Sequence, residues 1–105
     1  MKQHRPTELQ CQGVLVAAAK RGGWLCHAER TSMTQSGRYS TAIQGDVGFP
    51  DLCLSHPTRG TVYWELKRKP NKPSAMQLEW LARLGGELVW VPDELDERVQ
   101  WLVNA

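Results

Sequence analysis

Residues 48–67, GFPDLCLSHPTRGTVYWELK, constrain the chain more than any other stretch. Two runs of alternating apolar residues, 50–55 and 61–67, flank a bend built from Pro57, Thr58 and Arg59. This is the pattern of a β-hairpin, in which successive side chains point to opposite faces. The alternation puts Val62, Trp64 and Leu66 on one face and Thr61, Tyr63, Glu65 and Lys67 on the other. In the partner strand, Leu52 and Leu54 share one face, and Asp51, Cys53 and Ser55 the opposite one. Register must bring apolar residues together, which predicts Leu52 beside Trp64 and Leu54 beside Val62. Asp51 then lies opposite Glu65. A register slipped by two residues sets Asp51 opposite Lys67, with Glu65 a diagonal neighbour. In either case Asp51, Glu65 and Lys67 converge on what is expected to be an exposed face of the hairpin.

Like charges directly opposite one another on a sheet are destabilising. Two carboxylates that close do not both ionise cheaply unless a cation lies between them. Lys67 can supply one positive charge. A divalent ion would satisfy both carboxylates, and Mg²⁺ commonly binds through one or two carboxylates while keeping waters that a substrate phosphate can displace. The competing reading is a surface ion cluster, because a short Glu-x-Lys spacing is common by chance. Pro50 suits the first position of a strand, where its missing N–H matters least.

The remaining chain reads as a series of short elements. Thr7 and Gln10 form a capping box for a first helix, whose expected buried face is Cys11, Val14, Leu15 and Ala18 and which ends at Gly22-Gly23. Residues 24–28 read as a strand. Residues 31–48, rich in Thr, Ser, Gln and Gly, read as a long loop, with room for short strand pieces; loops of that length are often functional. Ser74 and Gln77 form a second capping box, ahead of a helix marked by Leu78, Leu81 and Leu84 and ended by Gly85-Gly86. Residues 88–91 read as a strand stopped by Pro92. Asp93 is placed to cap a last helix with Leu95, Val99 and Leu102 on its buried face. The order α-β-β-β-α-β-α predicts a single domain over 1–105: a mixed β-sheet flanked by helices, of the α/β or α+β type.

Composition narrows the function. No apolar run exceeds Val14–Ala19, which predicts neither a secretory leader nor a membrane span. Cys11, Cys26 and Cys53 are odd in number, form no CxxC and lie among apolar neighbours, so they read as reduced core residues of a cytoplasmic protein. His4, His27 and His56 lack metal-ligand spacing. No Ser or Cys nucleophile has a plausible His partner, and there is no Walker loop. Residues 1–72 hold 11 Lys and Arg against 5 Asp and Glu, whereas residues 73–105 hold 2 against 6. The segment 67–73, KRKPNKP, carries Lys67, Arg68, Lys69 and Lys72 with no acid. It reads either as a phosphate-facing loop or as a solvated turn.

Taken with its context, the hairpin supports a more specific reading. Gly48-Phe49-Pro50-Asp51-Leu52, then Trp64-Glu65-Leu66-Lys67, then Gln77 opening a helix, closely resembles the PD-(D/E)xK nucleases. Within that superfamily the chain resembles the compact VRR-NUC family, from Glu8 to Val91. The resemblance implies a small restriction-endonuclease-like core and a metal-dependent DNA endonuclease. Asp51, Glu65 and the Leu66 carbonyl would ligate Mg²⁺ or Mn²⁺, and Lys67 would position the attacking water or steady phosphate charge. Gln77 matches the polar residue that faces the site from the following helix, and its local role is to complete the Ser74 cap. Glu8 matches a first-helix acid that joins the catalytic and metal-binding set in many relatives; on local grounds it is a first-turn acid favoured by the helix dipole. Phosphodiester hydrolysis needs an activated water and stabilised charge on the phosphate and leaving oxygen, which divalent cations supply. With no module to read bases, structure-specific cutting of branched DNA such as four-way junctions is expected. The alternatives are a restriction-type duplex nuclease that uses the 31–48 loop for specificity, and a DNA-binding module that has lost catalysis. The small free-standing form resembles viral members, which suggests phage origin and action in the host cytoplasm. A two-fold substrate suits a homodimer, with Trp80 and Trp101 as candidate interface residues.

Overall fold

The computed structural model describes residues 5–29, 32–33, 39–40 and 44–104. Its elements in chain order are α1 (Glu8–Arg21), β1 (Leu25–Ala28), β2 (Ser32–Met33), β3 (Tyr39–Ser40), β4 (Leu52–His56), β5 (Gly60–Lys67), α2 (Ala75–Leu84), β6 (Glu87–Trp90) and α3 (Leu95–Val103). The main sheet runs β1-β4-β5-β6, antiparallel except for the parallel β5–β6 pair. It is the mixed sheet flanked by helices that the chain predicts. A separate two-stranded ribbon, β2–β3, lies inside the stretch read as a loop. The rest of that loop within 30–31, 34–38 and 41–43 lies outside the described residues, as does His4.

The hairpin has the register that its apolar pattern demands. Leu52 pairs with Trp64, Cys53 with Tyr63 and Leu54 with Val62, and 57–59 form the bend. Leu52, Leu54, Trp64 and Leu66 point into a core shared with Val89 and Val91, and with α1 (Cys11, Leu15, Ala18, Ala19) and α3 (Leu102). Close packing of the two helix ends depends on Gly22, where a Cβ would lie 2.0 Å from the Leu102 carbonyl oxygen. Trp24 reinforces the joint by donating from its indole to the same carbonyl at 3.0 Å. Burial of large apolar side chains such as these supplies most of the favourable free energy of folding, at about 25 cal/mol per Å².

Both capping boxes form in full, at Thr7/Gln10 and Ser74/Gln77. Three expectations need correction. Val14 is 46% exposed; Ala19 and Gln12 complete the α1 face instead, and Gln12 donates to the Glu29 carbonyl. Asp93 does not cap α3. Its carboxylate pairs with Lys69 at 3.2 Å, the cap position falls on Glu94, and the Glu94 side chain accepts from the Trp90 N–H. Cys26 and Cys53 are half-buried rather than core residues, although all three cysteines are free thiols. His56 has a structural role: its ring contacts the Gly22 carbonyl, accepts from the Thr58 N–H and packs on Trp24.

Trp80 and Trp101 both have partners within the chain. Trp80 donates to the Val47 carbonyl and meets Phe49 edge-on. Trp101 packs between Trp24 and Trp64, with the Arg59 guanidinium 3.8 Å from its ring centre, and still leaves 40% of its surface exposed.

Candidate active site

Helices α1 and α3 cover one face of the sheet, and α2 covers the other, which carries Tyr63, Glu65 and Lys67. That arrangement corrects the expected exposed cluster: Glu65 is only 2% exposed. The approach of α2 depends on Gly48, whose φ of +96° suits glycine and where a Cβ would lie 3.1 Å from the Gln77 nitrogen and from Met76. A side chain there would push the 44–49 segment away from the helix start and disturb the entry to Asp51.

Asp51 is placed by the break in the β4–β5 ladder. Extended by two residues, the register sets Leu66 opposite Pro50. Such a pair would exchange two backbone hydrogen bonds, but proline has no N–H to give. The Leu66 N–H turns to the Asp51 carboxylate, Oδ2 at 2.9 Å. The Leu66 carbonyl points to the same side of the strand and has no ladder donor at position 50. Pro50 thus ends the ladder, and Asp51 and the Leu66 carbonyl become available at one place.

Gln77 joins the helix to this place. Its Oε1 accepts from the Ser74 N–H at 2.8 Å, and its Nε2 donates to Glu65 Oε2 at 3.2 Å. One amide therefore completes the Ser74 cap and also contacts Glu65. The second carboxylate oxygen of Glu65, Oε1, is buried and has no hydrogen-bond partner among the described residues.

Burial raises the Glu65 carboxyl to about 8, helped by the adjacent Asp51 charge and opposed by Lys67. Asp51 is also raised, chiefly by burial; the Leu66 N–H bond to its carboxylate pulls it back. Two carboxyls in this relation do not both ionise cheaply in the absence of a cation. The orphaned Glu65 Oε1, the Asp51 carboxylate and the Leu66 carbonyl make an all-oxygen donor set suited to a hard divalent cation, whose binding would displace any proton held by the pair. Among the described residues no three or more His, Cys, Asp or Glu side chains converge at one point. A cation would therefore rest on two carboxylates, a backbone oxygen and water.

Glu8 stands one step away. Its charge acts on both Asp51 and Glu65, but its Oε2 accepts from the Arg68 N–H at 3.2 Å. Lys67 is half-buried beside the pair. The basic segment splits: Lys72 is exposed, Lys69 pairs with Asp93, and Arg68 is half-buried. The Arg68 charge reaches Cys11 on α1, and its Nε is buried without a hydrogen-bond partner among the described residues. Periodicity and charge did not single out Trp90. The Lys67–Trp90 register brings it beside the site, and it would be legible only to a reading that pairs β6 parallel to β5.

No family model and no curated protein matches the chain. A solved structure described as a "VRR_NUC domain" has the same fold, with a TM-score of 0.56, 23% identity, and coverage of 89% of this chain and 94% of that one. At that identity the likeness is one of fold.

Proposed function

We propose that this chain, with the fold of a VRR_NUC domain, is a metal-dependent DNA endonuclease. One observation carries the reading. Asp51 and Glu65 are held against each other under α2, next to Lys67, and a Glu65 oxygen is buried without a hydrogen-bond donor. A fold gains little from a buried acid pair, and a cation site needs one.

A Mg²⁺ or Mn²⁺ ion held by Asp51, Glu65 and the Leu66 carbonyl would polarise the phosphodiester and ease deprotonation of the attacking water. The chain's own groups do the rest. Gln77 keeps Glu65 turned toward Asp51 by its Nε2 hydrogen bond. The Leu66 N–H fixes the Asp51 rotamer. Lys67 offers an ammonium to the scissile phosphate or to the water, where charge increases in the transition state. Glu8 acts at a distance, through its field and by holding the Arg68 backbone. The test is hydrolysis of plasmid, linear duplex and junction DNA with and without Mg²⁺ and Mn²⁺. Absence of metal-dependent cleavage on all three, or cleavage unchanged in Asp51→Asn, overturns the reading.

The finer reading is a homodimer that cuts branched DNA within the cell that holds the protein, a phage-infected bacterium if the origin is viral. One copy has one such site, and resolving a four-way junction requires two cuts. The exposed part of Trp101 is the aromatic surface best placed to meet a second copy. Light scattering with and without a junction measures the mass; a monomer in both conditions, cutting linear duplex as readily as junctions, overturns this arrangement.

A further inference from the structure

We propose that Trp90 is a stacking platform for an unpaired nucleobase next to the scissile phosphate. The proposal rests on the nuclease reading and names the feature of DNA that the site selects.

Placement comes first. Val89 points into the core between the sheet and α1/α3, so Leu88 and Trp90, on either side of it in β6, face the opposite way. Parallel register sets Leu88 beside Glu65 and Trp90 beside Lys67. Neighbouring strands lie about 4.7–4.9 Å apart, so the indole is within one nucleotide's reach of the Lys67 amine. Trp90 is half-buried, unlike Trp24 and Trp64 in the core.

The surroundings fit a base. The Lys69 ammonium lies 5.7 Å from the Trp90 ring centre while pairing with Asp93 at 3.2 Å. Both members of that pair are well exposed, so the pair is weak and Lys69 can exchange Asp93 for a phosphate. Lys67 and Lys69 then flank an aromatic ring, the combination by which proteins hold single strands: cations follow the backbone and an aromatic face takes a base. The Trp90 main chain is also pinned, because its backbone N–H is tied to Glu94 Oε2 at 2.8 Å and the Glu94 N–H returns to the Trp90 carbonyl. A base inside a continuous duplex has both faces covered by its neighbours and cannot use the platform. A base at a flap, bulge or junction can. Trp90 would therefore convert a sequence-blind site into one selective for branched or frayed DNA.

The experiment compares two DNAs that differ only in whether one 2-aminopurine is paired or unpaired, bound to the full chain in EDTA so that no strand is cut. Expected are quenching of the unpaired probe by the parent protein and tighter binding of that DNA. Trp90→Leu is expected to lose the quenching and about 5- to 150-fold of the affinity for the unpaired DNA relative to the paired one, the range that corresponds to roughly 1–3 kcal/mol per stacked base. Trp90→Phe is expected to retain most of both. Equal weakening toward the two DNAs in Trp90→Leu, Trp90→Phe as poor as Trp90→Leu, or no difference between the DNAs with the parent protein overturns the proposal. Cleavage of the same DNAs in Mg²⁺, with and without Asp51→Asn, is scored separately. Discrimination without cleavage would sink the nuclease reading and leave the subsite; cleavage without discrimination would do the reverse.

Discussion

Replacing Glu65 by Gln is expected to stabilise the cation-free protein at high pH by about 3–5 kcal/mol. The magnitude follows from the burial of this carboxyl. Its titration moves from an ordinary 4.5 to about 8 in the folded chain, first through burial and then through the Asp51 charge. The folded state therefore keeps a proton that the unfolded state loses near 4.5, and stability falls as pH rises between the two values. The contribution is fully present below pH 4.5 and is lost above about pH 8. At about 1.36 kcal/mol per pH unit this amounts to roughly 5 kcal/mol, and relaxation around a partly hydrated pair lowers the measurable figure to about 3–5. Domains of this size hold only about 5–15 kcal/mol in total, so the loss is large. Gln reproduces the protonated form. Its carbonyl can accept from Gln77 and its amide can donate to Asp51. Urea unfolding in EDTA at pH 5, 7 and 8.5 reads the effect directly: the parent should lose stability steadily, and Glu65→Gln should stay nearly level. Parent stability that does not change from pH 5 to 8.5, or a variant no more stable than the parent at pH 8.5, would refute the reasoning.

Three further outcomes are expected. Asp51→Asn and Lys67→Ala should each lower Mg²⁺-dependent cleavage by about a hundredfold or more, with circular dichroism showing a folded protein; near-normal rates in Asp51→Asn would remove the metal-site assignment. Mg²⁺ at a hundred times its dissociation constant should stabilise the native state by about 2.7 kcal/mol, and Glu65→Gln should blunt that shift in thermal melts; a saturated site with no shift contradicts it. Replacing Arg68, Lys69 and Lys72 with Ala should weaken DNA binding across sequences and flatten its salt dependence by up to about 0.9 in log–log slope per lost phosphate contact. Lys72 should account for most of the binding change, and Arg68, turned toward α1, for most of any loss in melting temperature; an unchanged salt slope would make the segment a solvated turn.

The sequence by itself determined the parts of this protein that depend on local period and local chemistry. Strand alternation admits few registers that pair Leu52 and Leu54 with Trp64 and Val62, and the chain adopts one of them. Thr7/Gln10 and Ser74/Gln77 close their caps over three residues, so nothing distant can easily prevent them. Asp51 beside Glu65 follows from that register together with a proline that cannot extend the ladder. Periodicity tells which face a side chain takes but not what lies over that face. Glu65 was expected in solvent and is buried because the β5–α2–β6 crossover lays α2 across the sheet. Val14 was expected inside and remains outside because α1 presents Gln12 and Ala19 to the core instead. Arg68 and Lys69 looked equivalent in a run of cations, yet one turns toward α1 and the other toward Asp93. Trp90 comes to the site only through the parallel pairing of strands separated by a whole helix. These outcomes rest on contacts between segments far apart in the chain, whose energies local propensity does not contain, and so the tertiary structure alone decided them.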